Sequence, residues 1–263
     1  MSAIILDERM VHYEVLGRGR PIIFLHGWVG SWRYWVPTMQ TAAMSFRAYA
    51  LDLWGFGDTA HDKSCYALEQ QVHLLDRFIQ EMGIGKVALV GHGLGGLTAI
   101  LFARKMPQVV DRLMVVNVPM NESLVASRLR SPSSPVDLAD WLLAKGPISE
   151  AARTDAPKAD PLAITTSFSS LYGTDILSIM DSMVTPCLIV HGQNDPAIRT
   201  LEEERIMSMP ELVHQVELEG SGHFPMLDDG PRFNRLMTDF LALYSGESPR
   251  DLMLKEEWKR RVR

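Results

Sequence analysis

Short runs of apolar, β-branched residues recur along the chain and alternate with longer stretches in which apolar residues fall every three or four positions. The first pattern predicts strands and the second helices, because side chains repeat every two residues on a strand and every 3.6 on a helix. In order, the expected strands are Ala3–Asp7, Val11–Leu16, Ile22–Leu25, Arg47–Leu53, Val87–Val90, Leu113–Val118, Cys187–Val190 and Gln215–Leu218. Between the fourth and fifth, Leu68, Val72, Leu75, Phe78, Ile79 and Met82 form one helical stripe, which Gly83 ends. Strands alternating with helices predict an α/β fold: a mostly parallel eight-stranded sheet with helices on both faces.

After Pro119 the alternation stops until Pro186. A structureless loop of that length would be out of place in a compact domain, so this stretch is expected to be a helical insertion, with helices near Leu138–Leu143 and Leu171–Met183. The expected division is a core of residues 1–118 and 185–246, a helical cap insertion over 119–184, and a C-terminal helical extension over 247–263. In that extension Leu254, Trp258 and Val262 share one helical face. Such a stripe packs on the domain body or on a neighbouring subunit, which makes the tail the expected route to an oligomer. A membrane-surface anchor is disfavoured because Glu256 and Glu257 interrupt the basic residues.

Composition narrows the partners. A net charge of −6, with basic residues scattered until the end of the chain, gives no attraction for a phosphate backbone, so nucleic acid is not expected. The N-terminus lacks a signal-peptide pattern and no apolar run is long enough to span a bilayer, so a cytoplasmic protein without membrane association is expected. Cys65 and Cys187 show no metal-ligand or redox spacing and read as packing residues. Neither metal nor organic cofactor is expected.

The chemistry concentrates in four short motifs. In VALVGHGLGG, residues 87–96, an apolar strand runs into a glycine-rich turn and then into a good helix. In IIFLHGWVGS, His26, Gly27 and Trp28 follow a buried strand. CLIVHGQNDPAI delivers Asp195 to a loop after another strand, and SGHFP carries His223 after the last one. Together these resemble the α/β-hydrolase superfamily, over nearly the whole chain except the tail. The order elbow, acid, histidine is the one that fold uses.

The resemblance implies roles. Gly91 and Gly95 match the outer positions of the nucleophile elbow G-x-S-x-G, and Asp195 and His223 match the acid and the histidine. Trp28 and Leu94 would supply the two oxyanion-hole amides, each typically worth ~3 kcal/mol to a developing oxyanion. Trp28 and His92 would line the substrate pocket, with Met120 and Trp141 contributing from the insertion, where Leu142, Phe168 and Leu171 add further apolar cover. ALDLWGFGDT resembles the family's loop after the next strand, in which Asp52 is a turn-stabilising carboxylate. His12, His61, His73, His191 and His214 have no partner spacing and read as structural or solvent-facing.

One position departs from the family: Gly93 stands where it carries Ser, Cys or Asp. A residue without a side chain cannot form an acyl-enzyme. Three readings stay open at this point. The chain is a hydrolase of a small, partly apolar ester, amide or C–C-bond substrate that has lost its nucleophile. Or it is a pseudo-hydrolase that binds a ligand or a protein. Or it uses the His223–Asp195 pair to activate water directly. In each case the expected partner is a small-molecule substrate or ligand, and the pseudo-hydrolase reading adds a protein.

Overall fold

The centre of the sheet carries the strongest apolar signal, and there most strand positions are buried. The computed structural model describes residues 2–254. Eight strands form one sheet: β1 (Ser2–Leu6), β2 (Arg9–Gly17), β3 (Arg20–Leu25), β4 (Phe46–Leu51), β5 (Val87–His92), β6 (Val110–Val116), β7 (Cys187–Gly192) and β8 (Val213–Leu218). Their spatial order is β1-β2-β4-β3-β5-β6-β7-β8. β1 and β2 pair antiparallel with each other, and β2 pairs antiparallel with β4, while all other neighbours run parallel. Every residue of β5 and β7 is buried, as a parallel strand covered on both faces requires. Edge strand β1 alternates instead between more and less exposed positions.

The eight expected strands are all present, with ends that differ by at most three residues. Before the insertion lie α1 (Val36–Ala42), α2 (Leu68–Glu81) and α3 (Leu94–Lys105). Leu68, Val72, Leu75, Phe78 and Ile79 of α2 are buried, and the helix stops at Gly83, whose φ of 63° suits the turn out of a helix. Between β6 and β7 come five helices: α4 (Ser127–Arg130), α5 (Pro135–Leu142), α6 (Glu150–Asp155), α7 (Pro161–Leu171) and α8 (Ile176–Asp181). Three more follow: α9 (Glu203–Met207), α10 (Pro225–Asp228) and α11 (Gly230–Leu241). α2 packs on α3, and α1 on α11.

One helix assignment is corrected. The sequence pattern predicts a single helix over Leu171–Met183, but α7 ends at Leu171 and α8 begins at Ile176, where Asp175 caps it by accepting the Ser178 amide. Asp160 accepts the Leu162 amide at the start of α7, and Pro161 follows as the first helical residue. The five residues before Leu254 and Leu254 itself form a short 3-10 helix. The stripe continued by Trp258 and Val262 lies outside the described residues.

The insertion is pinned to the core by polar contacts. Asp155, nearly fully buried, accepts hydrogen bonds from the Ser31 hydroxyl at 2.5 Å and from Arg33 Nε at 3.0 Å, and pairs with Lys158 at 3.2 Å. Lys158 also reaches Asp58. Tyr66 donates to Asp160, whose amide donates to the Gly55 carbonyl. Among the described residues, no helix is long and apolar enough to cross a membrane.

Candidate active site

The carboxyl ends of β3, β5, β7 and β8 bring the sequence motifs together, where a parallel α/β sheet leaves its loops free to form a site. β5 runs straight into the elbow. A Cβ on Gly91 would collide with the Gly95 carbonyl, and one on Gly95 with the Leu25 carbonyl, so both positions admit no side chain. Between them Gly93 adopts φ 49° and ψ −111° as the residue that opens α3. Its amide donates to the Val116 carbonyl at 2.9 Å, and the Gly95 amide donates to the His26 carbonyl at 3.0 Å. The elbow is thereby tied to β6 on one side and to the loop after β3 on the other.

Asp195 and His223 meet, although they come from the loops after two different strands. Asp195 Oδ2 accepts His223 Nδ1–H at 2.8 Å, the direction that an ionised carboxylate requires. The other carboxylate oxygen accepts the amides of Ala197 and Ile198 at 2.8 and 3.2 Å, which fixes the acid. Nδ1 faces Asp195, so Nε2 is the ring nitrogen left for chemistry. His223 is buried, and its ring centroid lies 4.7 Å from that of His92.

His92 sits under this pair with no exposure to solvent. The Tyr34 hydroxyl accepts the Gly27 amide at 2.8 Å and shares a hydrogen bond with His92 Nδ1, 2.9 Å away. Burial, reinforced by the neighbouring His223, pushes His92 well below the ordinary histidine range, and burial raises Tyr34 well above the ordinary phenol. Both stay neutral near pH 7. His26 is likewise a neutral, buried strut: its Nε2 accepts the Leu53 amide and its Nδ1 donates to the Gly27 carbonyl.

Trp28 takes an unexpected position. Its indole lies directly over the elbow: a Cβ built on Gly93 would stand 2.9 and 3.0 Å from two of its ring carbons. The ring is held there from the insertion. Trp28 Nε1 donates to Ser167 Oγ at 2.9 Å, and Phe168 stacks on the indole with centroids 4.5 Å apart at 18°. Both partners lie on α7. The space a nucleophilic side chain would use is therefore filled by an aromatic ring. Among the described residues the Trp28 and Leu94 amides meet no acceptor.

Of the other expected pocket residues, Met120 is buried on the loop after β6, and Trp141, half-buried on α5, lies under the Arg128 guanidinium at 4.9 Å. Two positioning residues escaped the sequence reading. Asn117, at φ 46°, donates through Nδ2 to the carbonyls of Gly222 and His223 at 3.0 and 2.9 Å and accepts the Gly192 amide through Oδ1 at 2.8 Å. It thus joins the strand end that leads to Asp195 to the loop that carries His223. An Asn closing a strand before V-P is the signal that could have found it. Tyr34, the other, lies in a run of aromatic residues that reads simply as core.

His12, Asp52 and Asp58 bring donor atoms close enough to share a metal ion. Asp52 is the most engaged of the three, while His12 Nε2 has no hydrogen-bond partner among the described residues. Asp52 accepts from His12 Nδ1 and from the Trp32 and Asp58 amides, and Asp58 pairs with Lys158. Through these bonds the cluster knits the loop after β4 to β2.

The Alpha/beta hydrolase family model matches residues 22–236. The chain is similar to a putative carbamate hydrolase, RutD, of Stutzerimonas stutzeri, at 23% identity over 90% of this chain and 98% of the relative. Its fold is similar to that of the enol-lactonase from Burkholderia xenovorans LB400, with a TM-score of 0.80 at 19% identity, covering 92% of this chain and all (100%) of the other. A serine-to-glycine mutant of the N-acyl homoserine lactonase AidH, complexed with N-hexanoyl homoserine lactone, matches with a TM-score of 0.78 at 18% identity over 91% of this chain and 96% of that one.

Proposed function

We propose that this chain, which belongs to the alpha/beta hydrolase family, uses His223, oriented by Asp195, as a general base that activates water against a small, partly apolar ester. Gly93 stands where the family's nucleophile would be, so the reaction has no acyl-enzyme stage. His223 Nε2 takes a proton from water as the water oxygen bonds to the ester carbonyl carbon. The carbonyl oxygen, now an oxyanion, is received by the Trp28 and Leu94 amides. Collapse of this intermediate breaks the bond to the alcohol, which leaves with the proton returned from His223. General-base help of this kind is worth ~10²–10⁴-fold.

The observation that carries the reading is the buried, doubly anchored Asp195–His223 pair at 2.8 Å. An aspartate whose second oxygen is held by two amides leaves the imidazole one orientation, which is what a general base needs. Turnover requires the Trp28 indole to swing off Gly93, so Trp28 is a gate in this mechanism. Hydrolysis of p-nitrophenyl acetate and butyrate by the wild-type chain, beside His223→Ala and Asp195→Asn, tests it. A wild-type rate that both variants lose supports the base; a rate that survives His223→Ala overturns it.

The Trp28–Gly93 contact favours a second reading, a non-catalytic module that binds a ligand or a protein. A glycine-substituted lactonase of the same fold has been solved holding a lactone, and this chain's own glycine fits such a binding role equally well. That reading predicts no turnover and a ligand affinity indifferent to His223, which thermal-shift titration of wild type and His223→Ala would show.

A further inference from the structure

At the amino ends of the strands, opposite the elbow, lies a cavity of about 140 Å³ lined by both charged and apolar groups. Strands of six or seven residues at about 3.3 Å per residue put it roughly 20 Å from Gly93. Three cations line it: Arg20 at the start of β3, Lys86 just before β5, and Arg112 on β6. One carboxylate, Asp111, is shared between two of them, with Arg112 Nε at 2.9 Å and Lys86 Nζ at 3.3 Å. It also accepts the Ser245 hydroxyl at 2.7 Å. Arg20 pairs with no acid among the described residues, and its guanidinium lies 5.2 Å over the Phe46 ring. The lining therefore carries an excess of positive charge.

Arg112 marks the cavity as more than a surface dent. It is 1% exposed, its Nη1 donates to the Phe240 carbonyl at 2.6 Å, and its Nη2 has no partner among the described residues. A buried guanidinium held by a single carboxylate leaves this end of the sheet with positive charge under the cavity wall. Pro21, Phe46 and Leu241 supply the rest of the wall. Apolar cavities near 150 Å³ are large enough for benzene.

We propose that this cavity is a binding site for a small organic monocarboxylate with a compact apolar body. The carboxylate meets the exposed Arg20 guanidinium, in the planar, two-pronged way that arginine favours, and the buried Arg112 adds its positive charge from beneath. The apolar body displaces water from Phe46, Pro21 and Leu241. An inorganic anion of equal charge satisfies the first demand and not the second, because its own hydration has no replacement on those walls. The site is independent of the chemistry proposed at the elbow.

Isothermal titration of the full chain at constant ionic strength tests this, with benzoate, benzyl alcohol and inorganic phosphate as probes. The expected result is saturable one-to-one binding of benzoate, at least tenfold tighter than either other probe. Arg20→Glu, an exposed position where folding is not at stake, weakens benzoate at least tenfold, and His223→Ala leaves it unchanged. Absence of saturable benzoate binding overturns the proposal. So does phosphate binding as tightly as benzoate, or benzoate binding that is lost in His223→Ala but intact in Arg20→Glu, which would put the ligand at the elbow.

Discussion

The Trp28 indole stands 2.9 Å from the point where a Cβ on Gly93 would lie, so each residue occupies the space the other leaves. On the proposed reading, placing a nucleophile at position 93 therefore takes more than one substitution. Gly93→Ser meets the ring and also places a side chain at φ 49° and ψ −111°. Such strain costs about 1–3 kcal/mol. At roughly 2–4 °C per kcal/mol for a domain near this size, calorimetry should record a melting temperature lower by several degrees. The single variant should show no burst of p-nitrophenol from p-nitrophenyl acetate, whereas Gly93→Ser with Trp28→Leu should show one. A burst from the single variant would mean the indole moves freely.

Ser167 and Phe168 hold that indole from α7. If Trp28 gates the site, Ser167→Ala should loosen it without touching Gly93, His223 or Asp195. Loss of one buried hydrogen bond costs about 1 kcal/mol, so the fold survives. The expected outcome is greater quenching of tryptophan fluorescence by acrylamide and a rise in esterase rate; unchanged quenching would show that stacking on Phe168 alone holds the ring.

Asn117 ties Gly192 to the Gly222–His223 backbone through three hydrogen bonds. Its φ of 46° is one that asparagine and glycine tolerate better than alanine. Asn117→Gly keeps the backbone comfortable and loses the bonds, about 1 kcal/mol each. Asn117→Ala should be less stable again, by roughly 1–2 kcal/mol. Urea titration of the pair separates the two effects, and equal stability of the Gly and Ala variants would remove the backbone argument.

Acid should loosen the insertion through Asp155. Burial alone would raise its carboxyl, but the Ser31 hydroxyl, Arg33 and Lys158 outweigh it and hold the group below its ordinary 3.8. A carboxylate with a depressed folded-state pKa stabilises fully above the unfolded value, and that stability drains away as pH falls through the folded one. The stability gap between wild type and Asp155→Asn should therefore be constant above about pH 5 and narrow progressively below about pH 4. Denaturant titrations from pH 3 to 7 measure it, and a gap independent of pH would mean the carboxylate's charge is not what pins the insertion.

The strands, α2 and the glycine-rich turn after β5 were legible in the sequence because each is specified locally. Period-two and period-3.6 apolar spacing follows from backbone geometry, and a turn that excludes Cβ atoms at Gly91 and Gly95 has to be written in glycine. The chain order of Gly93, Asp195 and His223 could likewise be read along the sequence. What the tertiary structure alone decided lies between residues far apart in the chain. Trp28 and Ser167 are 139 positions apart and Asn117 and His223 are 106 apart, and no local period encodes such contacts. The break between α7 and α8 was missed because apolar residues continue across it, while the caps at Asp160 and Asp175 act only once the backbone turns. Arg112 looks in sequence like any strand-flanking cation; its burial, its unpaired Nη2 and the cavity it shares with Arg20 arise only when the amino ends of β3 to β6 come together. Local sterics and periodicity wrote the scaffold into the sequence, and the packing of distant segments determined what covers Gly93.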